Sequence, residues 1–175
     1  MAPTGVPTAP DVIIASARLH FCRPLECRDA AMHTLFNDES TMLPHLPLLC
    51  PMSAAAMRQR REQQRAGAES RRSLFLDIVL RSVGELVGTT GFTTFDSSSG
   101  RAEWGCIVAK RWQGSGICAE SFAATVAFAA SSLGTTVLTA STLDTNEPMR
   151  AFLTKRGMRQ TGAHVVDGVR CLAFE

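Results

Sequence analysis

Hydrophobic and polar positions change rhythm several times along the chain, and each rhythm predicts an element. Residues 12–23 form a short apolar stretch that predicts a first strand. Behind Asp29, a capping residue, Ala30, Met32, Leu35 and Phe36 stand at roughly helical spacing. Pro44, Pro47 and Pro51 exclude a regular helix over residues 41–52, which read as an apolar connecting loop. Ser53 then caps a second helix, predicted over 54–66, with a charged face of Arg58, Arg60, Arg61, Glu62 and Arg65.

The centre is β-rich. Residues 73–80, 85–95 and 101–109 predict three strands joined by tight polar turns, an antiparallel meander. A glycine-containing loop at 110–116 leads into an Ala-rich helix ended by Gly134. A strand follows at 135–142. The next helix tolerates Pro148 in its first turn and closes at Gly157. A hairpin across Asp167-Gly168 finishes the chain. The predicted order, β-α-α-β-β-β-α-β-α-β-β, is α+β: a mixed, mostly antiparallel sheet of about seven strands with about four helices.

The length of 175 residues suits one domain with a sizeable core. Hydrophobic residues at 45% and charged residues at 19% indicate a globular chain. Residues 1–17 are expected to be a loose N-terminal tail and 18–175 a single domain. A net charge of +2 implies no nucleic-acid surface. The six cysteines form no CxxC pair and no zinc pattern, so free thiols, no metal and a reducing compartment are expected. No apolar run approaches the roughly 20 residues of a membrane span, and residues 1–10 lack a secretory pattern. A cytoplasmic protein with no membrane partner is the expectation.

The candidate chemistry begins at Gly114, Ser115 and Gly116, predicted at a helix N-terminus. Small residues admit a ligand close to the backbone, first-turn amides lack intrahelical partners, and the helix dipole is positive there. A pyrophosphate suits such a place, although a tight turn alone explains the glycines equally well. No Gly-Lys-Ser/Thr follows, so this is not a P-loop. The preceding strand belongs to a meander, so it is not a dinucleotide fingerprint.

Four segments in order resemble the Gcn5-related N-acetyltransferase (GNAT) superfamily, in its RimJ/RimL-type branch, over roughly residues 19–174. Gln113-Gly114-Ser115-Gly116-Ile117-Cys118 resembles the family's cofactor loop, with Cys118 in place of its last small residue. A second register starting at Arg111 also fits, but the first keeps the family's spacing from Val108. Ala119-Glu120 resembles the "Thr-Glu" that often follows. "AEWGCIV" resembles the family's fourth strand. Asn146, eleven residues before Gly157, resembles the family's downstream asparagine, and "RPLECRDAAMHTLFND" resembles its opening.

The resemblance implies a sheet whose fourth and fifth strands splay apart around acetyl-CoA. It places the pantetheine arm along Ile107 and Val108, the pyrophosphate on the amides of Gln113, Gly114, Ser115, Gly116, Ile117 and Cys118, and Asn146 beside the pantetheine. It implies direct acetyl transfer from acetyl-CoA to a primary amine, a protein N-terminus or a small molecule. Family members often pair as dimers, so a homodimer is open.

The amine must lose a proton, the oxyanion needs a donor, and the leaving thiolate must be stabilised. Glu103 is the first candidate base, against a surface carboxylate; Asp38, Glu39 and His45 are alternatives. Ser141 is a candidate for assistance by hydrogen bonding. The family's tyrosine position is Leu153, its serine position is Met149, and the chain has no tyrosine. That departure keeps open a weak or inactive acyl-CoA-binding regulatory protein, while the acidic "NDES" at 37–40 hints at an antibiotic or polyamine acceptor. Cys118 reads as a small apolar filler rather than a reactive thiol, and Trp104 and Trp112 as packing residues. Lys110, Arg111, Lys155 and Arg156 are candidates to meet cofactor phosphates.

Overall fold

The computed structural model describes residues 11–175. Its strands are β1 (Val12–Ala15), β2 (Leu19–Cys22), β3 (Leu74–Leu80), β4 (Leu86–Asp96), β5 (Arg101–Val108), β6 (Val137–Leu143), β7 (Gln160–Val166) and β8 (Val169–Phe174). Its helices are α1 (Asp29–Phe36), α2 (Glu39–Met42), α3 (Ala54–Glu69), α4 (Ile117–Phe128) and α5 (Glu147–Lys155). The strands form one sheet in the order β1-β2-β3-β4-β5-β6-β8-β7. The α+β class and the meander at β3–β5 agree with the sequence pattern.

Three local expectations change. The stretch 12–23 is two strands, because the Ser16 amide turns back onto the Leu19 carbonyl at 2.9 Å and Ile14 pairs with Phe21. The tail expected over 1–17 therefore does not hold for β1, which is sheet; residues 1–10 lie outside the described residues. The apolar loop contains a helical turn, α2, because the Asp38 side chain accepts the Ser40 amide at its start. The same Asx capping chemistry that marks longer helices works here over four residues.

One pairing is parallel. β5 and β6 run side by side from Arg101↔Val137 to Trp104↔Ala140 and then part. Beyond that point β5 stays with β4 up to Gly88↔Val108, while β6 stays with β8 up to Leu143↔Cys171. From Gly105 to Val108 the β6-facing edge of β5 has no strand partner among the described residues. In the chain's own count this splay lies between the fifth and sixth strands, one later than expected, because the first strand is split.

Alternation along the strands assigns the two faces. Trp104 on β5 donates its indole N–H to Thr125 of α4 at 3.0 Å, so this face packs beneath α4 and α5. Phe92, Ala102, Trp104, Ala140, Leu153, Leu172 and Phe174 form its core. Buried Phe and Leu side chains of this kind each contribute about 1.5–3 kcal/mol. The opposite face is covered by α1 and α3 over β2–β4, through Phe36, Met32, Met57, Cys22 and Val79. Within that layer Arg28 and Asp77 form a fully buried ion pair at 2.7 Å.

Candidate active site

The parted strands make a V. Its floor, its two arms and its mouth come from different parts of the sequence. At the mouth of the β5 arm, the chain turns through Gly114 (φ +76°) and Gly116 (φ +84°), a left-handed backbone that suits glycine. Gly116 is the cap of α4 and offers no side-chain acceptor to the helix. The amides of Ile117, Cys118 and Ala119 thus begin a helix with no intrahelical partner. A side chain at Gly114 would meet nothing within 4 Å, so the loop is open to a ligand. Gln113 does not point outward: its amide donates to the Val108 carbonyl at 3.0 Å and fastens the loop to the strand.

Arg18, from the turn between β1 and β2, reaches the same loop. Its guanidinium donates to the Ser115 carbonyl at 3.0 Å and pairs with Glu120 at 2.7 Å. Glu120 also accepts from Ser16 Oγ at 2.7 Å and from the Arg18 amide at 2.8 Å. Partial burial works against the charged Glu120 carboxylate, but these hydrogen bonds win and hold its pKa below the ordinary value. The acidic residue at 120 therefore anchors the cradle instead of facing the ligand. Arg111 is drawn away to Glu85, and Trp112 donates to the same carboxylate at 2.9 Å.

The apex of the V lies at Gly105 and Ser141, the first residues past the paired stretch. Glu103, Gly105, Thr139 and Ser141 share the sheet face opposite α4, and a side chain at Gly105 would meet only Thr93 Cγ2, at 3.8 Å. On one flank of this bare floor stands Glu103, whose Oε2 accepts from Thr93 Oγ1 at 2.9 Å. On the other flank Ser141 Oγ lies 3.3 Å from His164 Nε2. His164 sits on β7, beyond β8. The imidazole reaches across β8 past Ala173, which pairs with Ser141, while His164 itself pairs with Cys171.

Asn146 is buried at the start of α5. Its Oδ1 accepts from the Met149 amide at 3.2 Å and its Nδ2 donates to Thr142 Oγ1 at 3.0 Å, leaving one donor and one lone pair. Facing it across the mouth is His45, from the loop after α2. The side-chain amides of Asn146 and Gln113 lie beside its ring, yet its buried Nδ1 has no hydrogen-bond partner among the described residues. Burial, then the Lys110 charge, lower the His45 pKa. Asp38 is instead committed to capping, with Ser40 and Thr41 hydroxyls at 2.6 Å pulling its carboxyl below the usual range. Glu39 is exposed on α2.

Beneath the floor Cys106 and Cys118 touch. The hydrogen bond from Cys106 lowers the Cys118 thiol, with Arg156 adding to it against burial, while Cys106 is raised. Leu153 is fully buried in the α5 core, and Trp104 stacks among Phe122 and Phe152 as packing. Among the described residues no cluster of His, Cys, Asp or Glu suits a metal ion, and no helix is long and apolar enough to cross a membrane.

The V thus gathers every cofactor-side residue read from the sequence, from Ile107 to Cys118 and Asn146, around one opening, with Glu103 and Ser141 at its apex. Arg18 and His164 were missed. The Glu120 signal pointed along α4 and not to its partner, and nothing local ties His164 to Ser141, 23 residues earlier.

Sequence comparison with curated proteins finds no match. Solved structures with the same fold include apo RimL, a ribosomal L7/L12 alpha-N-protein acetyltransferase, at TM-score 0.81 and 17% identity, covering 97% of each chain. Another is the microcin C7 self-immunity acetyltransferase MccE in complex with acetyl-CoA and AMP, at TM-score 0.77 and 16% identity over 95% of this chain and 96% of that one. A third is Mycobacterium smegmatis RimJ in complex with CoA-disulfide, at TM-score 0.77 and 21% identity over 89% of this chain and 80% of that one. The acetyltransferase (GNAT) domain model matches residues 18–159. With that match spanning most of its length, the chain belongs to the GNAT acetyltransferase family, enzymes that take their acetyl group from acetyl-CoA.

Proposed function

We propose that this protein transfers the acetyl group of acetyl-CoA to the α-amine of a peptide N-terminus. The observation that carries the proposal is the V itself: an open strand edge at Gly105–Val108 leading directly to the unpartnered first-turn amides of α4. In this reading the β5 edge, with Ile107 and Val108, takes the pantetheine arm by strand-like hydrogen bonds. The amides of Gly114, Gly116, Ile117 and Cys118 take the pyrophosphate, those of Gln113 and Ser115 being turned to the Lys110 and Trp112 carbonyls, and Arg18 adds positive charge beside it. Asn146 and the free Nδ1 of His45 complete the mouth; a buried imidazole nitrogen without a partner is costly unless a ligand supplies one.

Acetyl-CoA supplies an activated acyl group, and the remaining work falls to side chains at the apex. Glu103, oriented by Thr93, takes the proton that the amine must lose to attack. Ser141 stands on the opposite flank of the Gly105 floor and serves the leaving side. The acceptor arrives over the face that carries Thr93, Glu103, Thr139, Ser141 and His164, none of them buried. An open shelf of this kind suits an extended peptide better than an enclosed small amine. The RimL protein of the same fold acts on the α-amine of a ribosomal protein.

Acetylation of a panel of short peptides with free N-termini, followed by release of the CoA thiol, tests the proposal. Thiol release with peptides and none with spermidine or aminoglycosides is the expected result. Acetylation of the small amines alone would move the acceptor class to those. Binding of acetyl-CoA with no transfer to any amine would favour a regulatory binder, consistent with the buried Leu153 at the family's tyrosine position.

A further inference from the structure

We propose that His164 and Ser141 act as one proton-delivery unit for the leaving thiolate, replacing the tyrosine that this chain lacks. The proposal rests on the acetyl-CoA reading of the V. A thiolate leaves poorly unless it is protonated or held by a donor as the carbon–sulfur bond breaks. The chain contains no tyrosine. Leu153, at the family's tyrosine position, is fully buried in the core and has no proton to give. The β6 arm must therefore supply the proton from elsewhere.

Ser141 is the first residue of β6 past the paired stretch, beside the bare Gly105 floor and on the same face as Glu103. A serine hydroxyl alone is a weak acid. Linked to an imidazole it becomes a relay, because histidine is the side chain that changes charge near neutral pH. The 3.3 Å separation of Ser141 Oγ and His164 Nε2 provides that link. It spans two strand spacings, about 10 Å of sheet, across β8, whose small Ala173 pairs with Ser141. A ring on the exposed edge strand that crosses β8 to meet one serine is not explained by packing, since all of β7 is exposed.

The proton count closes. The α-ammonium first loses one proton, which Glu103 takes and passes to solvent; the free amine then attacks, and Glu103 takes the second N–H proton as the carbon–nitrogen bond forms. As the carbon–sulfur bond breaks, Ser141 Oγ–H passes its proton to the sulfur and takes one from the imidazolium Nε2–H of His164. Glu103 ends protonated and His164 neutral, and exchange with solvent resets both. The two flanks of the floor thus divide the work, base on the β5 arm and acid on the β6 arm. Ser141 is the catalytic group; His164 acts through it. The titratable and charged groups sharing the open part of its face include Cys171, directly opposite on β8, and Glu103 and Arg101 on β5, Arg101 being paired with Glu175.

The chain has four histidines, and loss of one ring resonance in His164→Asn assigns His164 by NMR. With free CoA as the probe, the His164 ring resonances shift on binding, because the thiol meets Ser141 and, through it, the ring. In Ser141→Ala that shift disappears, while CoA still raises the melting temperature. With a peptide acceptor, each single variant loses about a hundredfold in kcat, the low end for positioned proton transfer. The double variant loses no more than either single, because one relay is broken once. The acetyl-CoA KM stays unchanged. A His164 resonance that ignores CoA in a protein stabilised by CoA would overturn the relay and leave the acetyl-CoA reading intact. Additive losses in the double variant would overturn it as well. A melting temperature indifferent to CoA would overturn the acetyl-CoA reading, and the relay with it.

Discussion

The two arms of the V are built from different materials. The β5 arm is backbone: an unpaired strand edge, two glycines at positive φ and the first-turn amides of one helix, all within residues 105–119. The β6 arm is side chains: Ser141, Asn146 and His164, brought together from a strand, a helix cap and an edge strand. Main-chain groups recognise a ligand that every family member shares, and they tolerate sequence change because any residue supplies an amide. In the proposed reading, side-chain groups set what happens to the acyl group, and it is here that this chain departs from the family pattern, with a buried Leu153 at the tyrosine position. The difference separates backbone holding along the outer β5 arm from side-chain chemistry at the apex and along β6, where Glu103 and Ser141 flank the floor, and it can be tested by breaking one at a time.

The largest effect is expected at the apex. Glu103→Gln should lower kcat by about 10²–10³, within the range of general acid–base catalysis, and leave the acetyl-CoA KM nearly unchanged. Steady-state kinetics with a peptide acceptor measure this. Equal loss in KM would place Glu103 in binding and blur the division between the arms.

Gly116→Val should do the reverse. At φ +84° a β-branched residue is strained by about 1–2 kcal/mol, and its Cβ would lie 3.3 Å from the Arg18 guanidinium. Acetyl-CoA affinity should fall at least about tenfold, equivalent to about 1.4 kcal/mol, as measured by calorimetry. Turnover at saturating acetyl-CoA should change little.

These two regions also differ in how much of them the sequence discloses. The loop at 113–118 is contiguous, so its glycines and its place before a helix are visible in the chain itself. The meander and the Asp167-Gly168 turn, with φ of +47° and +81°, are visible for the same local reason. The link between Ser141 and His164 depends on β8 inserting between β6 and β7, and strand order is not written in local periodicity. The split of residues 12–23 into β1 and β2 was hidden because a three-residue turn, Ser16 to Arg18, barely interrupts the apolar pattern. His45 was visible as a candidate, but its place opposite Asn146 depends on how the proline-rich loop folds over the mouth.

Asn146→Ala should cost about 1 kcal/mol through the lost helix cap, lowering the melting temperature by roughly 2–4 °C for a protein of this size. It should also weaken acetyl-CoA binding. A stability loss with unaltered binding would confine Asn146 to its structural role and leave the β6 arm without a cofactor contact.

The smallest effect concerns pH. His45 is lowered by burial and by Lys110, and His20 by burial and by Arg81. For each, the unfolded chain takes up its proton at a higher pH than the folded chain. Stability should therefore fall as pH drops through the unfolded value of about 6.5 toward the lower folded values. Thermal melts between neutral and mildly acidic pH measure this. His45→Gln should flatten part of the slope, and acetyl-CoA should steepen it if its binding keeps the ring neutral.

The most direct measurement is the thermal melt with and without acetyl-CoA. At a concentration of about 100 times Kd, binding to the native state alone adds about 2.7 kcal/mol. For a chain of this length that corresponds to a rise of about 5–11 °C. The rise should persist in Glu103→Gln and shrink in Gly116→Val. A melting temperature that millimolar acetyl-CoA leaves unmoved would contradict the assignment of the V as the acetyl-CoA site.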